Sequence, residues 1–140
     1  MSGKGLVFVD TNILVYGYSG GVGAREERAR GVLRELLQEG RFCWSTQVMQ
    51  ELYVTLTRKY GRSGAEVQGL LDDLAEWPYL RVDAETIRAA GQRREASGIS
   101  FWDGLILAAA ESLGADVVYS EDLNAGQMYG KVRVVNPLVG

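Results

Sequence analysis

Apolar positions along the chain follow two alternating rhythms. Five short β-rich runs stand out: "LVFVD" (6–10), "FCWS" (42–45), "LRVD" (80–83), "DVVYS" (116–120) and "VRVV" (132–135). Between the first four lie helical periods. Residues 24–39 carry Ala29, Val32, Leu33, Leu36 and Leu37 at three-to-four spacing among Arg and Glu. From Thr46 to about Tyr60 the chain repeats Val48, Met49, Leu52, Tyr53 and Leu56. Further amphipathic helices are predicted over 63–76 and 84–97, with Ser63 and Asp83 in N-cap positions. Ser100 then opens an almost wholly apolar helix to about Leu113, stopped by Gly114. Strands alternating with helices predict right-handed βαβ crossovers, hence an α/β fold whose parallel sheet has helices on both faces. No repeat, low-complexity tract or proline-rich linker divides the chain, so residues 1–140 are read as one domain.

Ligands of such sheets bind outside the carboxyl ends of the strands. In "VFVDTNIL" (7–14) the first strand ends at that edge in Asp10, followed by Thr11 and Asn12. The fourth strand runs into "EDLNAGQ", which places Glu121 and Asp122 just past the same edge. Glu51 lies about a turn and a half into the helix after "FCWS". Asp103 is awkward, because a helix feeding the fourth strand should begin at the opposite edge. It reaches the site only if 84–97 and 101–113 form a helical hairpin, which the break "ASGIS" allows.

Taken singly, each acid has a plainer reading. Asp10 could end a strand and cap a helix. Asp103 and Ser100 fit a variant capping box, Glu51 flanks an apolar stripe, and Asp122 could share a solvated turn with Asn124 and Gly126. Jointly these readings weaken. The Asp103 helix is apolar on nearly every side, so its carboxylate is expected to be buried, and an unpaired buried carboxylate is very costly. Lysine is scarce (Lys4, Lys59, Lys131), and no arginine lies within five residues of Asp103. A cation from solution is the simplest partner.

Composition narrows the chemistry. The 140 residues, 46% apolar and 24% charged, are those of a globular chain, and "GLILAAA" (104–110) is far too short to span a bilayer. With no secretory leader in view and Cys43 the only cysteine, a cytoplasmic protein without membrane or disulfide is expected. Histidine is absent, which removes imidazole zinc sites and the usual general base. Carboxylates alone make a hard-oxygen site, suited to Mg²⁺ or Mn²⁺, that can activate water for phosphoryl chemistry.

Four stretches, "VFVDTNILV", "STQVMQELYVTL", "ISFWDGLILAAA" and "VVYSEDLNAGQ", together resemble the PIN-domain ribonucleases, most of all the VapC-type toxins of prokaryotic toxin–antitoxin pairs. The likeness runs over nearly the whole chain with the motifs in family order. It implies a three-layer α/β/α sandwich with a central, mostly parallel sheet of about five strands, and Mg²⁺- or Mn²⁺-dependent cleavage of RNA. By match to the motifs the metal-site acids are Asp10, Glu51, Asp103 and Asp122. Thr11 and Asn12 would support the site from behind, and Ser120 sits where the family has Thr or Ser. Asp122 is preferred from its offset after Ser120, with Glu121 the fallback. An antitoxin partner and a homodimer are implied as well.

Parts of the pattern fit other proteins as well. A haloacid-dehalogenase-like phosphatase would use Asp10 as nucleophile, but the places of its next Asp and Thr hold Asn12 and Leu14. A receiver domain needs an acid pair that does not precede Asp10 and a late lysine for which Lys131 is poor. A stand-alone PIN nuclease or a non-catalytic interaction module would keep the fold. The formal charge of −3 would become +1 with two divalent ions bound, so RNA could then approach. Arg25, Arg28, Arg30, Arg58, Lys59 and Arg62 are the phosphate contacts expected, unless they form a solvated face paired with Glu26, Glu27 and Glu35. Leu14, Val15, Tyr16, Tyr18, Met49, Leu52, Tyr53 and Leu56 supply material for an antitoxin groove or for the core, with the tyrosines better suited to a half-wet interface.

Overall fold

The computed structural model describes residues 5–123 and 126–139; Asn124, of the turn considered above, lies outside them. The sheet is built from β1 (Val7–Val9), β2 (Phe42–Ser45), β3 (Tyr79–Leu80), β4 (Val117–Tyr119), β5 (Met128–Tyr129) and β6 (Val132–Val135). Among the described residues the helices are α1 (Thr11–Tyr18), α2 (Ala24–Gln38), α3 (Thr46–Arg58), α4 (Gly64–Leu74), α5 (Ala84–Ser97) and α6 (Phe101–Ser112). The strand order is β3-β2-β1-β4-β6-β5, parallel throughout except for the antiparallel β5–β6 pair. Right-handed crossovers from β1 through β3 and back to β4 place α1–α4 on one face and α5–α6 on the other. This is the expected three-layer α/β/α arrangement, with six strands where about five were predicted.

β1 is the centre of the sheet, and all three of its residues are buried, as a strand covered on both faces requires. It pairs with β2 on one side and β4 on the other, and the chain reverses its direction of winding between β1 and β4. That switch point opens a crevice at the carboxyl edge.

Three elements differ from expectation. Helix α1 was not predicted, because "TNILVYGY" is short, β-branched and aromatic rather than amphipathic. It forms because Asp10 caps it and because Ile13, Leu14, Val15 and Gly17 are all buried. A methyl group on Gly17 would collide with Leu33, so α1 and α2 approach closely. Strand β3 spans Tyr79–Leu80 rather than 80–83, since the chain leaves the sheet early to let Asp83 cap α5. Two-residue β5 carries too little pattern to be read, and it turns into β6 through Gly130 in the left-handed region (φ +64°).

The hairpin that Asp103 needs is present. α5 ends at Gly98 (φ 70°), whose N–H donates to the Arg94 carbonyl at 3.0 Å. Ser100 then caps α6 by accepting from the Asp103 N–H at 3.0 Å. Gly104 lets the two helices touch: a Cβ there would lie 2.7 Å from the Ala90 carbonyl oxygen. The start of α6 is thereby returned to the carboxyl edge. No helix of the described residues is long and apolar enough to cross a membrane.

Candidate active site

Asp10 follows the central strand, and the register that pairs Val9 with Tyr119 sets Asp10 beside Ser120. Asp10 is 7% exposed. Its Oδ1 accepts from the Thr11 N–H at 2.7 Å and its Oδ2 from the Ser120 hydroxyl at 2.8 Å. Burial raises its pKa to about 6; those two hydrogen bonds oppose the rise, and the charges of Glu51 and Asp122 add to it. The plain cap and the site residue are therefore the same side chain. Asp10 caps α1 and also faces other acids.

The polar residues around it form a frame. Ser120 is fully buried, and its oxygen also accepts from the N–H groups of Asp122 and Leu123 at 3.1 and 3.3 Å, which folds the chain after β4 back over the edge. Asn12 closes the other side: its Oδ1 accepts from the Glu121 N–H at 3.2 Å and its Nδ2 donates to Asp122 Oδ2 at 3.0 Å. Thr11 donates its hydroxyl to Glu51 Oε1 at 2.6 Å and so aims the α3 carboxylate.

One cavity of about 270 Å³ is lined by Asp10, Thr11, Asn12, Gln47, Glu51, Trp102, Asp103, Ile106 and Asp122. Four acids from four separate segments thus face one space. Glu121 is not among them. Its carboxylate accepts from the Tyr16 hydroxyl at 2.6 Å and lies 3.7 Å from Arg25 Nε, while Arg25 also donates to Tyr16 at 2.9 Å. That hydrogen bond to Glu121, above all, raises the Tyr16 pKa. Tyr16 and Glu121 line an adjoining cavity of about 460 Å³, which shares Thr11, Asn12, Glu51 and Asp122 and adds Lys59 and Tyr60.

Asp103 departs from expectation in one respect. It is half-buried rather than buried, because it sits in the first turn of α6 at the cavity rim, ahead of the fully covered stretch from Gly104 to Ala110. Its carboxylate has no hydrogen-bond or ion-pair partner among the described residues. The donors facing the cavity are oxygens, the set that hard divalent cations prefer. No three acid side chains among the described residues close on a single point to cage an ion. Mg²⁺ is commonly held by one or two carboxylates with several waters kept, and so would not require such a cage.

The basic residues divide. Lys59 lines the adjoining cavity and Arg25 contacts two of its lining residues, Tyr16 and Glu121, whereas Arg28 and Arg58 are exposed elsewhere on α2 and α3. Arg30 and Arg62 are engaged by the fold, donating to the carbonyls of Gly21 and Tyr18 at 2.7 Å each. Of the expected groove residues, Leu14, Val15, Leu52 and Leu56 are core, since α1 is clamped between α2 and α3. Tyr53 and Met49 instead line an apolar depression of about 390 Å³ with Val54 and Leu71. Three cavity residues, Gln47, Trp102 and Ile106, were not among the residues expected from the sequence. Gln47, one turn before Glu51, donates to Glu51 Oε2 at 3.4 Å and to the Trp102 carbonyl at 3.5 Å. Its i,i+4 spacing from Glu51 was the available signal. Trp102 was legible only as the neighbour of Asp103.

Comparison with known proteins agrees with this fold. The chain is similar to a toxin–antitoxin complex from Klebsiella pneumoniae, with TM-score 0.70, 19% identity, and 94% of this chain and 97% of that chain covered. It is similar also to Mycobacterium tuberculosis VapC20, a Sarcin-Ricin loop cleaving toxin (TM-score 0.64, 22% identity, 83% and 89% covered). A third is DNA-bound VapBC from Salmonella typhimurium (TM-score 0.63, 18% identity, 93% and 96% covered). At these identities the likeness speaks to the fold. No curated protein sequence matches the chain. Residues 7–131, from the central strand through the loop before the last one, match the PIN domain, and the chain belongs to that family.

Proposed function

We propose that the chain is a Mg²⁺- or Mn²⁺-dependent endoribonuclease and the toxin of a type II toxin–antitoxin pair. The observation that carries the reading is the convergence of Asp10, Glu51, Asp103 and Asp122 on one cavity at the switch point of a PIN fold. A divalent ion bound there supplies acidity to water and stabilises charge on phosphate oxygens. The chain's own part is to hold the acids. Asp10 is fixed by Thr11 N–H and Ser120, Glu51 by Thr11 Oγ1, and Asp122 by Asn12, so each keeps one aim. Asp103, at the rim and without a side-chain partner among the described residues, would be available to such an ion or its water shell. Asp122 is the fourth acid on this reading, because Glu121 is held by Tyr16 and Arg25. Lys59 in the adjoining cavity, and Arg25 beside its Tyr16 and Glu121, would serve as contacts for the RNA backbone.

The toxin reading rests on the kind of protein the fold resembles, since the solved structures it is similar to include toxin–antitoxin complexes. An antitoxin segment has an apolar seat available beside Tyr53 and Val54, and a homodimer belongs to the same reading. One experiment tests the core of it. Purified chain and Asp10→Asn are incubated with single-stranded RNA plus Mn²⁺, or plus EDTA. Cleavage by wild type with metal, and by neither protein in EDTA, is expected. Cleavage that survives EDTA or the substitution overturns the mechanism. Growth arrest on expression, relieved by the product of a neighbouring reading frame, separates a toxin from a stand-alone nuclease.

A further inference from the structure

Trp102 is 63% exposed, and it lines the acid cavity. Most large apolar side chains exposed among the described residues, such as Val22, Ile87 and Met128, lie away from that cavity. Leaving an indole in water forfeits the burial that usually recruits tryptophan, so this placement calls for an occupant. The ring is also held in place. It belongs to the first turn of α6, and Phe101 meets it edge-on with centroids 5.4 Å apart and planes at 77°. Its backbone carbonyl accepts from Gln47, which is itself tied to Glu51.

We propose that Trp102 is a stacking platform for one unpaired nucleobase next to the phosphate handled by the acids. The inference rests on the nuclease reading above and adds a substrate preference to it. A cavity of about 270 Å³ lined by four carboxylates suits a phosphate with its ions and water, and no aromatic ring among its linings other than Trp102 can receive a base. A neutral π-face at the rim can hold the substrate where a cation would be neutralised by the acids. Base–aromatic stacking strengthens affinity roughly five- to hundredfold per base, and every base offers a face for it. Bases within a duplex are already stacked and present only their edges. The indole therefore selects single-stranded or looped RNA and sets which phosphodiester enters the cavity.

The test uses the full chain with Ca²⁺ and follows tryptophan emission. Titrants are a short single-stranded RNA, the same RNA closed into a duplex, and an abasic chain of equal phosphate number. Trp102→Phe and Trp102→Ala are run in parallel; the difference from Trp102→Phe isolates this indole from Trp44 and Trp77. Single-stranded RNA should quench Trp102, and the abasic chain should not. Trp102→Ala should bind the single strand about tenfold more weakly and raise KM for cleavage more than it lowers kcat, with Trp102→Phe recovering most of the loss. Equal binding by Trp102→Ala, or equal quenching by the abasic chain, overturns the platform. So does a dimer that becomes a monomer in Trp102→Ala, which would give the indole to a protein interface. Wild type that cleaves no RNA while the single strand still quenches Trp102 would sink the nuclease reading and leave the platform standing.

Discussion

Asp10 and Ser120 lie 110 residues apart, and the Ser120 hydroxyl donates to Asp10 Oδ2 at 2.8 Å. The bond exists because β1 and β4 pair in parallel at the switch point and end together. One hydroxyl both steadies a buried carboxylate and, through the N–H groups of Asp122 and Leu123, shapes the loop that carries another acid. The two acids are therefore placed by one residue. Even with that help, burial keeps the Asp10 pKa at about 6.

A pH dependence of stability follows. The folded protein holds a proton on Asp10 that the unfolded chain, with a carboxyl near its ordinary value, gives up. In the metal-free protein this group's contribution is thus full at low pH and is lost as pH rises from about 4 to about 6. The limit is on the order of 2–3 kcal/mol. Asp10→Asn removes the titration and keeps a capping oxygen. Urea unfolding in EDTA should show the variant more stable than wild type by about 1–2 kcal/mol at pH 7.5, with the gap closing towards pH 4. Parallel stability curves would show that the carboxylate is not strained.

The same strain makes a divalent ion a stabiliser. An ion that binds only the folded protein at about a hundred times its Kd adds about 2.7 kcal/mol, a rise in Tm on the order of 5–10 °C for a chain of this size. Differential scanning fluorimetry should register that rise for wild type with Mn²⁺ and little of it for Asp10→Asn. Equal shifts in both proteins would move the ion elsewhere.

Glu121 and Asp122 offer a discrimination within one dipeptide. Glu121→Gln loses the Arg25 ion pair, a long and partly exposed contact of small worth, and should keep most cleavage activity. Asp122→Asn removes an acid from the cavity and should lower kcat by roughly 10- to 100-fold. The reverse pattern in initial-rate assays would hand the role to Glu121.

Much of this was legible because strands and long amphipathic helices announce themselves by period. Asp10 and Asp122 were visible as polar residues at predicted strand ends, Glu51 and Asp103 as acids on predicted helices, and Asp103 needed the α5–α6 hairpin to reach the others. What stayed hidden has physical reasons. α1 is buried by its neighbours on several sides, so its sequence shows no polar face to mark a helical period. Asp103 shares a helix with a run of fully buried residues, and the apolar pattern could not tell that the first turn protrudes to the rim. Gln47 offered only its i,i+4 spacing from Glu51, and Trp102 only its place beside Asp103, until the fold brings α3 and α6 together.

The hairpin itself can be probed at two glycines. A Cβ at Gly104 would stand 2.7 Å from the Ala90 carbonyl oxygen and 3.2 Å from its Cα, both backbone atoms that cannot turn aside. Gly104→Ala should therefore push α6 off α5 and destabilise the protein by about 2 kcal/mol or more. Gly91 lies in α5 with nothing within 4 Å of its would-be Cβ. There the same substitution only restricts the unfolded chain and improves helix propensity, so Gly91→Ala should stabilise by about 0.5–1 kcal/mol. Because α6 carries Asp103 at its first turn, the Gly104→Ala displacement should also weaken Mn²⁺ binding, which Gly91→Ala leaves alone. Chemical denaturation with calorimetric metal titration of both variants reads the two effects separately. Two equally stable alanine variants would mean that the helices do not meet at Gly104, and the placement of Asp103 would then need another cause.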